Sequence, residues 1–168
     1  MNVLSRFPVF FQLSLFVAML NLSACSSLSP RDMPEDMPAP AQFPASALSS
    51  EAAILAITAL DTPYRRGGSS YKGFDCSGLV YFIYRQMGLS VARTAIAQYQ
   101  QSHRVEKKHL RAGDLVFFRL NSRAVSHVGI YLGDDQFIHA PSTGKRVSYA
   151  QLSNPFWKKR YVGGGRFS

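Results

Sequence analysis

Apolar and polar residues divide the chain into three stretches with different patterns. Residues 7–20 are almost continuously apolar, residues 26–50 follow neither a strand nor a helix period, and residues 51–168 follow both in turn. A period of 3.6 residues favours helices and a period of 2 favours strands. The folded part is therefore predicted to be residues 51–168, behind a leader and a linker.

The first half of this folded part carries the helical period. Helices are predicted over residues 51–60, 79–87 and 94–101. Ser49 or Ser50 is the expected N-cap of the first helix, and Gly88 ends the second. Cys76 lies in the loop just before the second apolar stretch, so this pattern places Cys76 at a helix N-terminus.

The second half changes to a period of 2, which is typical of strands that bury one face. Strands are predicted over residues 114–119, 126–132, 136–140, 146–149 and 161–167. Helices followed by an antiparallel meander indicate an α+β fold with a sheet of five to six strands.

The apolar run at residues 7–20 is too short for the roughly 20 residues of a membrane-spanning helix, and small residues follow it. Residues 1–24 are therefore predicted to be a lipoprotein signal peptide. Leu22-Ser23-Ala24-Cys25 resembles the bacterial lipoprotein box, which implies that Cys25 is lipidated. Because Ser26 follows rather than Asp, the implied location is the outer membrane, with the domain facing the periplasm.

Residues 25–50 are predicted to combine the lipidated cysteine with a tether, since the stretch contains five prolines. Residues 51–168 hold 17 Lys and Arg against 7 Asp and Glu, a net charge of +10. Such a domain attracts polyanions, whether nucleic acid, anionic lipid or acidic wall polymer. An exported protein does not meet nucleic acid, so nucleic acid is not expected as a partner.

Two cysteines are present, and the anchor uses one of them. Cys76 then has no partner, and an unpaired cysteine in an exported protein suggests a free reactive thiol or an intermolecular disulfide. A disulfide between Cys25 and Cys76 is the alternative, which requires the lipoprotein box to be a coincidence.

The position of Cys76 suits a nucleophile. At a helix N-terminus, the macrodipole and the unpaired backbone N–H groups favour the thiolate and are expected to lower the pKa of the thiol. The same N–H groups can receive the oxyanion of a tetrahedral intermediate. The alternative interpretation is a small thiol buried in the core.

His127 and His139 are the candidates for the base that a thiol nucleophile needs. They lie on adjacent predicted strands, and a three-residue loop or a bulge between the strands would put both on one face. His139 could then fix the tautomer of His127. A two-residue turn without a bulge would face His139 away from His127.

Five sequence blocks occur in the order found in the NlpC family of papain-like cell-wall peptidases, which the chain resembles over nearly all of residues 51–168. The blocks are Thr62-Pro63-Tyr64-Arg65 with Gly67-Gly68, Asp75-Cys76-Ser77-Gly78, residues 110–118, residues 127–131 and residues 137–140. With the lipoprotein box, the chain resembles the murein endopeptidase lipoproteins of this family. The resemblance implies a catalytic triad of Cys76, His127 and His139.

The resemblance also implies substrate-binding roles for Tyr64, Asp75 and Ser77. Each has a structural alternative: Tyr64 packs after Pro63, Asp75 caps the helix, and Ser77 satisfies backbone donors in the first turn. Two departures from the family's pattern, Arg66 and Ala92, put substrate preference rather than the reaction in question.

Other residues are weaker candidates for catalysis or binding. His103 and His109 lie in a polar stretch and are expected to be solvated. Trp157 could stack on a sugar, but an anchor for the last strand is favoured. The triad residues lack the short-spaced ligand pair typical of zinc sites, so no metal or cofactor is expected.

The sequence thus predicts a monomeric cysteine peptidase domain that hydrolyses stem-peptide or cross-link peptide bonds of peptidoglycan through a Cys76 acyl-enzyme. Two alternatives stay open: a non-catalytic wall-binding lipoprotein, and an amidase or acyltransferase on the same scaffold. The sequence does not identify which bond would be cut.

Overall fold

The computed structural model describes residues 45–120 and 122–167. The predicted signal peptide, Cys25 and most of the predicted tether lie outside these residues. Within the described ranges, no helix is both long and apolar enough to cross a membrane.

The described residues form four α-helices, and three of them match the predicted helices. They are α1 (Ala45–Thr58), α2 (Cys76–Gln86), α3 (Ala95–Gln101) and α4 (Pro155–Lys158). Thr94 caps α3 by accepting a hydrogen bond from the Ala97 N–H at 3.4 Å. Gly88 adopts a φ of +76° directly after the C-cap of α2, which ends that helix as predicted.

Eight strands occur in the same part of the chain. They are β1 (Ser69–Ser70), β2 (Gly73–Phe74), β3 (His103–Val105), β4 (Leu115–Phe118), β5 (His127–Gly133), β6 (Gln136–His139), β7 (Ser148–Gln151) and β8 (Tyr161–Arg166). β1 and β2 form a small hairpin, and the other six form an antiparallel sheet in the order β3-β8-β4-β5-β6-β7. The predicted α+β class and the six-stranded sheet are confirmed.

Both faces of the central strand β4 are buried. Leu115 and Phe117 point into a cluster with α2, whereas Val116 and Phe118 pack in a second cluster on the opposite face. This explains why β4 is continuously apolar instead of alternating. The first cluster fixes α2 against the sheet and therefore fixes the helix N-terminus that carries Cys76.

The helix α1 begins at Ala45, six residues before the predicted start. Ser49 and Ser50 lie inside it, so the prediction that either one caps it is wrong. Serine in a helix interior costs only a few tenths of a kcal/mol, and the Ala and Leu residues around these serines favour helix. The predicted tether therefore extends too far, because residues 45–50 are helical.

The strand predicted at residues 146–149 lies at Ser148–Gln151 instead. Arg146 forms an isolated bridge with Pro63, and Val147 exchanges backbone hydrogen bonds with the loop after α1 at 3.0 and 2.8 Å. Strand β3, in a stretch expected to be loop, forms because its backbone pairs with β8. Backbone pairing of this kind leaves no apolar signal in the sequence.

Candidate active site

Cys76 is the first residue of α2, as predicted, and Asp75 holds this end of the helix in place. The Asp75 carboxylate accepts hydrogen bonds from the backbone N–H groups of Gly78 at 2.6 Å and Gly67 at 2.9 Å. The Arg93 guanidinium donates two more, at 2.9 and 2.8 Å. Burial acts to raise the pKa of Asp75, but these hydrogen bonds outweigh it and hold the pKa below its usual range. The loop before Cys76 is thereby tied to two other segments.

Gly78 allows this loop to approach the helix closely. A Cβ atom at Gly78 would lie 1.9 Å from the carbonyl oxygen of Gly68 and 2.9 Å from Nη2 of Arg93. The Gly68 oxygen also accepts a hydrogen bond from Arg93 at 3.2 Å. A side chain at Gly78 would therefore displace both the loop and the Arg93 guanidinium.

The connection between β5 and β6 sets the positions of the two histidines. It is a two-residue turn, Asp134-Asp135, with both φ angles positive, combined with a bulge between Tyr131 and Gly133. The bulge keeps Ile130 opposite Ile138. The predicted bulge is confirmed, and it compensates for the short turn.

With this register His139 falls opposite Gly129, and its ring meets that of His127. Nε2 of His127 lies 2.9 Å from Nδ1 of His139, in a hydrogen bond between two buried rings. The bond uses Nε2 of His127 and leaves its Nδ1 outside the histidine pair. When Nδ1 is unprotonated and able to act as a base, the proton of His127 is on Nε2 and is donated to His139.

Trp157 covers the histidine pair. Its ring stacks on His127 with centroids 5.3 Å apart at an interplanar angle of 25°, and its edge meets His139 at 4.8 Å. Sequence reasoning placed Trp157 as an anchor for the last strand. It does pack in the second cluster with Phe118, but its ring is also part of the candidate site.

Both histidines are neutral in the resting site. Burial lowers the pKa of His127 to about 4. Burial, together with the nearby charges of His127 and Lys145, lowers the pKa of His139 to about 3. The Trp157 ring is one of the groups that exclude water from this pair. His127 is thus an unprotonated imidazole at neutral pH, which is the form a general base requires.

The thiol of Cys76 lies beside β5. Its sulfur interacts with the backbone N–H of Val128, the residue after His127, and with the N–H groups of Ser77 and of Cys76 itself. The structure therefore places the predicted nucleophile against the strand that carries the predicted base. Cys76 is a free, partly buried thiol.

The prediction that the helix N-terminus lowers the pKa of this thiol is wrong for the resting site. Burial raises the pKa of Cys76, and the negative charge of Asp75 raises it further. The backbone N–H groups act in the opposite direction but are outweighed. The resting pair is a neutral thiol and a neutral imidazole.

Tyr64 and Ser77 both lie near the thiol. Burial raises the pKa of the Tyr64 hydroxyl, and the negative charges that Cys76, when ionised, and Asp75 carry raise it further, so the phenol is within electrostatic range of both groups. Ser77 is buried, donates a hydrogen bond to Asp75 at 3.2 Å and accepts one from Arg93 at 3.1 Å. The substrate-binding roles implied for Tyr64, Asp75 and Ser77 stay predictions.

Arg93 is a positioning residue that sequence reasoning did not single out. It contacts Asp75, Ser77 and the Gly68 carbonyl, three groups around the nucleophile. The sequence shows Arg93 only as the residue before Thr94, which caps a helix. That position gave no reason to expect contact with residues 16 to 25 positions away.

The remaining predicted residues lie away from this site. His103 is exposed on β3 and His109 is exposed in a short 3₁₀ helix, as expected for solvated side chains. In the described ranges, no group of three or more His, Cys, Asp and Glu side chains is arranged to hold a metal ion.

Comparison with known families and proteins adds to this geometry. The model of the NlpC/P60 family matches residues 61–166. Murein DD-endopeptidase MepH of Escherichia coli K12 is 44% identical over 109 residues, which are 62% of this chain and 40% of that protein. Murein DD-endopeptidase MepS/Murein LD-carboxypeptidase of the same strain is 48% identical over 99 residues, 58% of this chain and 52% of the relative. The chain thus spans about half or less of these curated relatives.

Among solved structures, an NlpC/P60 family protein from Bacillus cereus superimposes with a TM-score of 0.68. It is 33% identical, and the match covers 79% of this chain and 42% of the other. The helices and the antiparallel sheet described above therefore recur in that structure.

Proposed function

This chain belongs to the NlpC/P60 family, and from that premise and the site geometry we propose that it is a cysteine endopeptidase that cleaves peptide bonds in peptidoglycan. One observation supports the proposal above the others: the Cys76 thiol, at the start of α2, lies against Val128 while the adjacent His127 is hydrogen-bonded to His139. In this proposal Cys76 is the nucleophile, His127 is the base and His139 orients the base.

Acylation begins from the neutral pair. Nδ1 of His127 removes the proton of the Cys76 thiol as the sulfur attacks the peptide carbonyl carbon, so a C–S bond forms and negative charge develops on the carbonyl oxygen. We propose that the backbone N–H of Cys76 and the Tyr64 hydroxyl donate hydrogen bonds to that oxygen. His127 then protonates the leaving amine, the C–N bond breaks, and a thioester remains.

In deacylation, water takes the place of the thiol as the nucleophile. His127 removes a proton from water as the oxygen attacks the thioester, and the C–S bond breaks. The proton returns to the sulfur, which restores the neutral thiol and releases a carboxylic acid. His139 holds the His127 ring and its tautomer through both steps.

The names of the relatives favour one class of bond. MepH and MepS are both named murein DD-endopeptidases. We propose that this chain likewise cleaves the cross-link between D-alanine and diaminopimelate, rather than the bond after D-glutamate. The same triad would serve either bond, so the pockets beside Cys76 must make the choice.

The test incubates the full-length chain with purified peptidoglycan and identifies the released fragments by mass spectrometry. We expect new fragments from the wild type, none from Cys76→Ala or His127→Ala, and a residual amount from His139→Ala. Full activity in Cys76→Ala would end the thiol mechanism. Binding of the chain to peptidoglycan without release of any fragment would favour the wall-binding alternative. Release of stem peptides whose internal peptide bonds are all intact would favour the amidase alternative.

We also propose that Cys25 carries the lipid anchor and that the domain faces the periplasm from the outer membrane. The support is the sequence Leu22-Ser23-Ala24-Cys25 followed by Ser26. Cells grown with labelled palmitate should label the wild-type chain in the outer-membrane fraction. A Cys25→Ala variant that was still labelled would overturn the proposal.

A further inference from the structure

A groove of about 770 Å³ has His139 in its lining, whereas Cys76 does not line it. It is bounded by β6, β7 and α4, and its inner wall contains His139 and Trp157, which also belong to the candidate active site. Its volume is within the range of small-molecule binding sites in proteins. Because His139 and Trp157 line the groove, a ligand held there would contact the histidine pair of the candidate active site.

Three aromatic side chains line the groove: Tyr149, Phe156 and Trp157. Tyr149 is 51% exposed and Phe156 is 47% exposed, although both are large apolar groups. Phe156 meets Trp157 edge-on with centroids 4.9 Å apart, so two of the rings form one continuous surface. Clustered aromatic exposure of this kind is typical of a binding site.

The polar lining is mostly uncharged. Gln136 and Gln151, directly opposite each other on β6 and β7, are both exposed in the groove, and Asn154 lies beside them. Lys145 is the single charged residue in the lining. The ligand that matches this surface has flat apolar faces, many amide and hydroxyl groups, and little charge.

We propose that this groove binds the glycan strand, a chain of N-acetylated amino sugars, next to the stem peptide that is cleaved. The C–H faces of pyranose rings pack on aromatic rings, and the N-acetyl and hydroxyl groups bond with the Gln and Asn amides. A stem peptide has several carboxylates and few flat apolar faces, so it would require more cations than Lys145. The inference rests on the proposed function and deepens it by naming the part of the substrate held here.

The test compares two substrates that share one cross-linked peptide. One is a muropeptide dimer that carries its sugars, and the other is the same dimer after an amidase has removed them. The full-length wild type should have a higher kcat/KM on the sugar-bearing dimer. Tyr149→Ala and Phe156→Ala should each reduce that preference roughly three- to tenfold, the effect of losing one aromatic contact.

Two variants serve as controls. Tyr149→Phe keeps the ring and should keep most of the preference. Ile54→Ala removes a side chain that is 64% exposed on α1, outside the groove, and should leave the preference intact. Equal losses on both dimers in Tyr149→Ala would show that the groove holds peptide and would overturn the proposal, as would a wild type with no preference.

A binding measurement separates this proposal from the proposed function. The Cys76→Ala full-length chain is titrated with the tetramer of N-acetylglucosamine, and the change in Trp157 fluorescence is followed. Saturable binding that Tyr149→Ala weakens would support the groove even if no hydrolysis were found. The absence of binding would count against the groove while leaving hydrolysis to its own assay.

Discussion

At the scale of single residues, the buried pair of His127 and His139 controls how the protein responds to acid. Burial lowers the pKa of both rings, to about 4 and about 3 respectively. Unfolding exposes them to water, where a histidine titrates near its ordinary value of about 6.5. Between these pH values the unfolded chain binds more protons than the folded chain, so the folded state loses stability as the pH falls.

We therefore expect the free energy of unfolding to decrease by about 3 kcal/mol from His127 alone as the pH is lowered from about 8 to 4. Urea unfolding of the full-length chain at a series of pH values measures this. His127→Gln should flatten the decrease, whereas His103→Gln, which changes an exposed histidine, should keep it. Identical pH profiles for all three proteins would contradict the burial of a neutral His127.

Some residues of the candidate site could be predicted from the sequence, and others could not. The positions of Cys76, His127 and His139 were predictable because each has a chemical type and a place in the pattern, a cysteine before an apolar helix and two histidines on paired strands. The role of Trp157 was not, because its contact with His127 depends on a short helix between β7 and β8. The raised pKa of the thiol depends on burial, which the sequence position of Cys76 does not reveal.

At the scale of elements, the N-terminus of α2 and the loop before it form one unit. The unit depends on the absence of a side chain at Gly78, where a Cβ would lie 1.9 Å from the Gly68 oxygen. It depends equally on Asp75, whose carboxylate bonds to both backbone segments and to Arg93.

Gly78→Ala is expected to destabilise the fold by about 3 kcal/mol or more and to abolish hydrolysis, because backbone atoms cannot move aside as a flexible side chain can. Gly163→Ala is the matched control, since no atom lies within 4 Å of its Cβ position. It should change stability by less than about 0.5 kcal/mol. Thermal unfolding and the peptidoglycan assay measure both variants, and a stable, active Gly78→Ala would refute the close approach.

Most elements could be predicted because their side chains carry a periodic signal. The helices α2 and α3 and the strands β4, β5, β6 and β8 were found close to their observed positions. Strand β3 and the two strands of the β1–β2 hairpin are only two or three residues long, so no apolar period marks them. The start of α1 was missed because Ser49 and Ser50, a residue type that favours the N-cap, lie inside the helix instead.

At the scale of the whole molecule, charge is distributed so that residues 51–168 carry +10. Lys158 and Lys159 are exposed on and beside α4, next to the groove that contains Trp157. A positive surface near the site would raise the local concentration of an anionic wall polymer. Salt screens such attraction, because the Debye length shrinks as ionic strength rises.

We expect binding of the full-length chain to purified peptidoglycan to weaken severalfold as NaCl is raised from about 0.05 to about 0.5 M. The double variant Lys158→Glu and Lys159→Glu should bind more weakly at low salt and respond less to NaCl. Replacing the same two residues with Arg keeps the charge and should keep the wild-type response. Co-sedimentation with the polymer measures all three, and binding that ignores salt would exclude a role for this surface.

The bulge between Tyr131 and Gly133 has a consequence for how this hairpin can change during evolution. Side chains in a sheet alternate between faces, so the meeting of His127 with His139 depends on the turn and the bulge together. Loss of the extra residue at the bulge alone would turn His139 to the opposite face while leaving the strands paired. A change of length in this hairpin can therefore separate the two histidines even when neither residue is substituted.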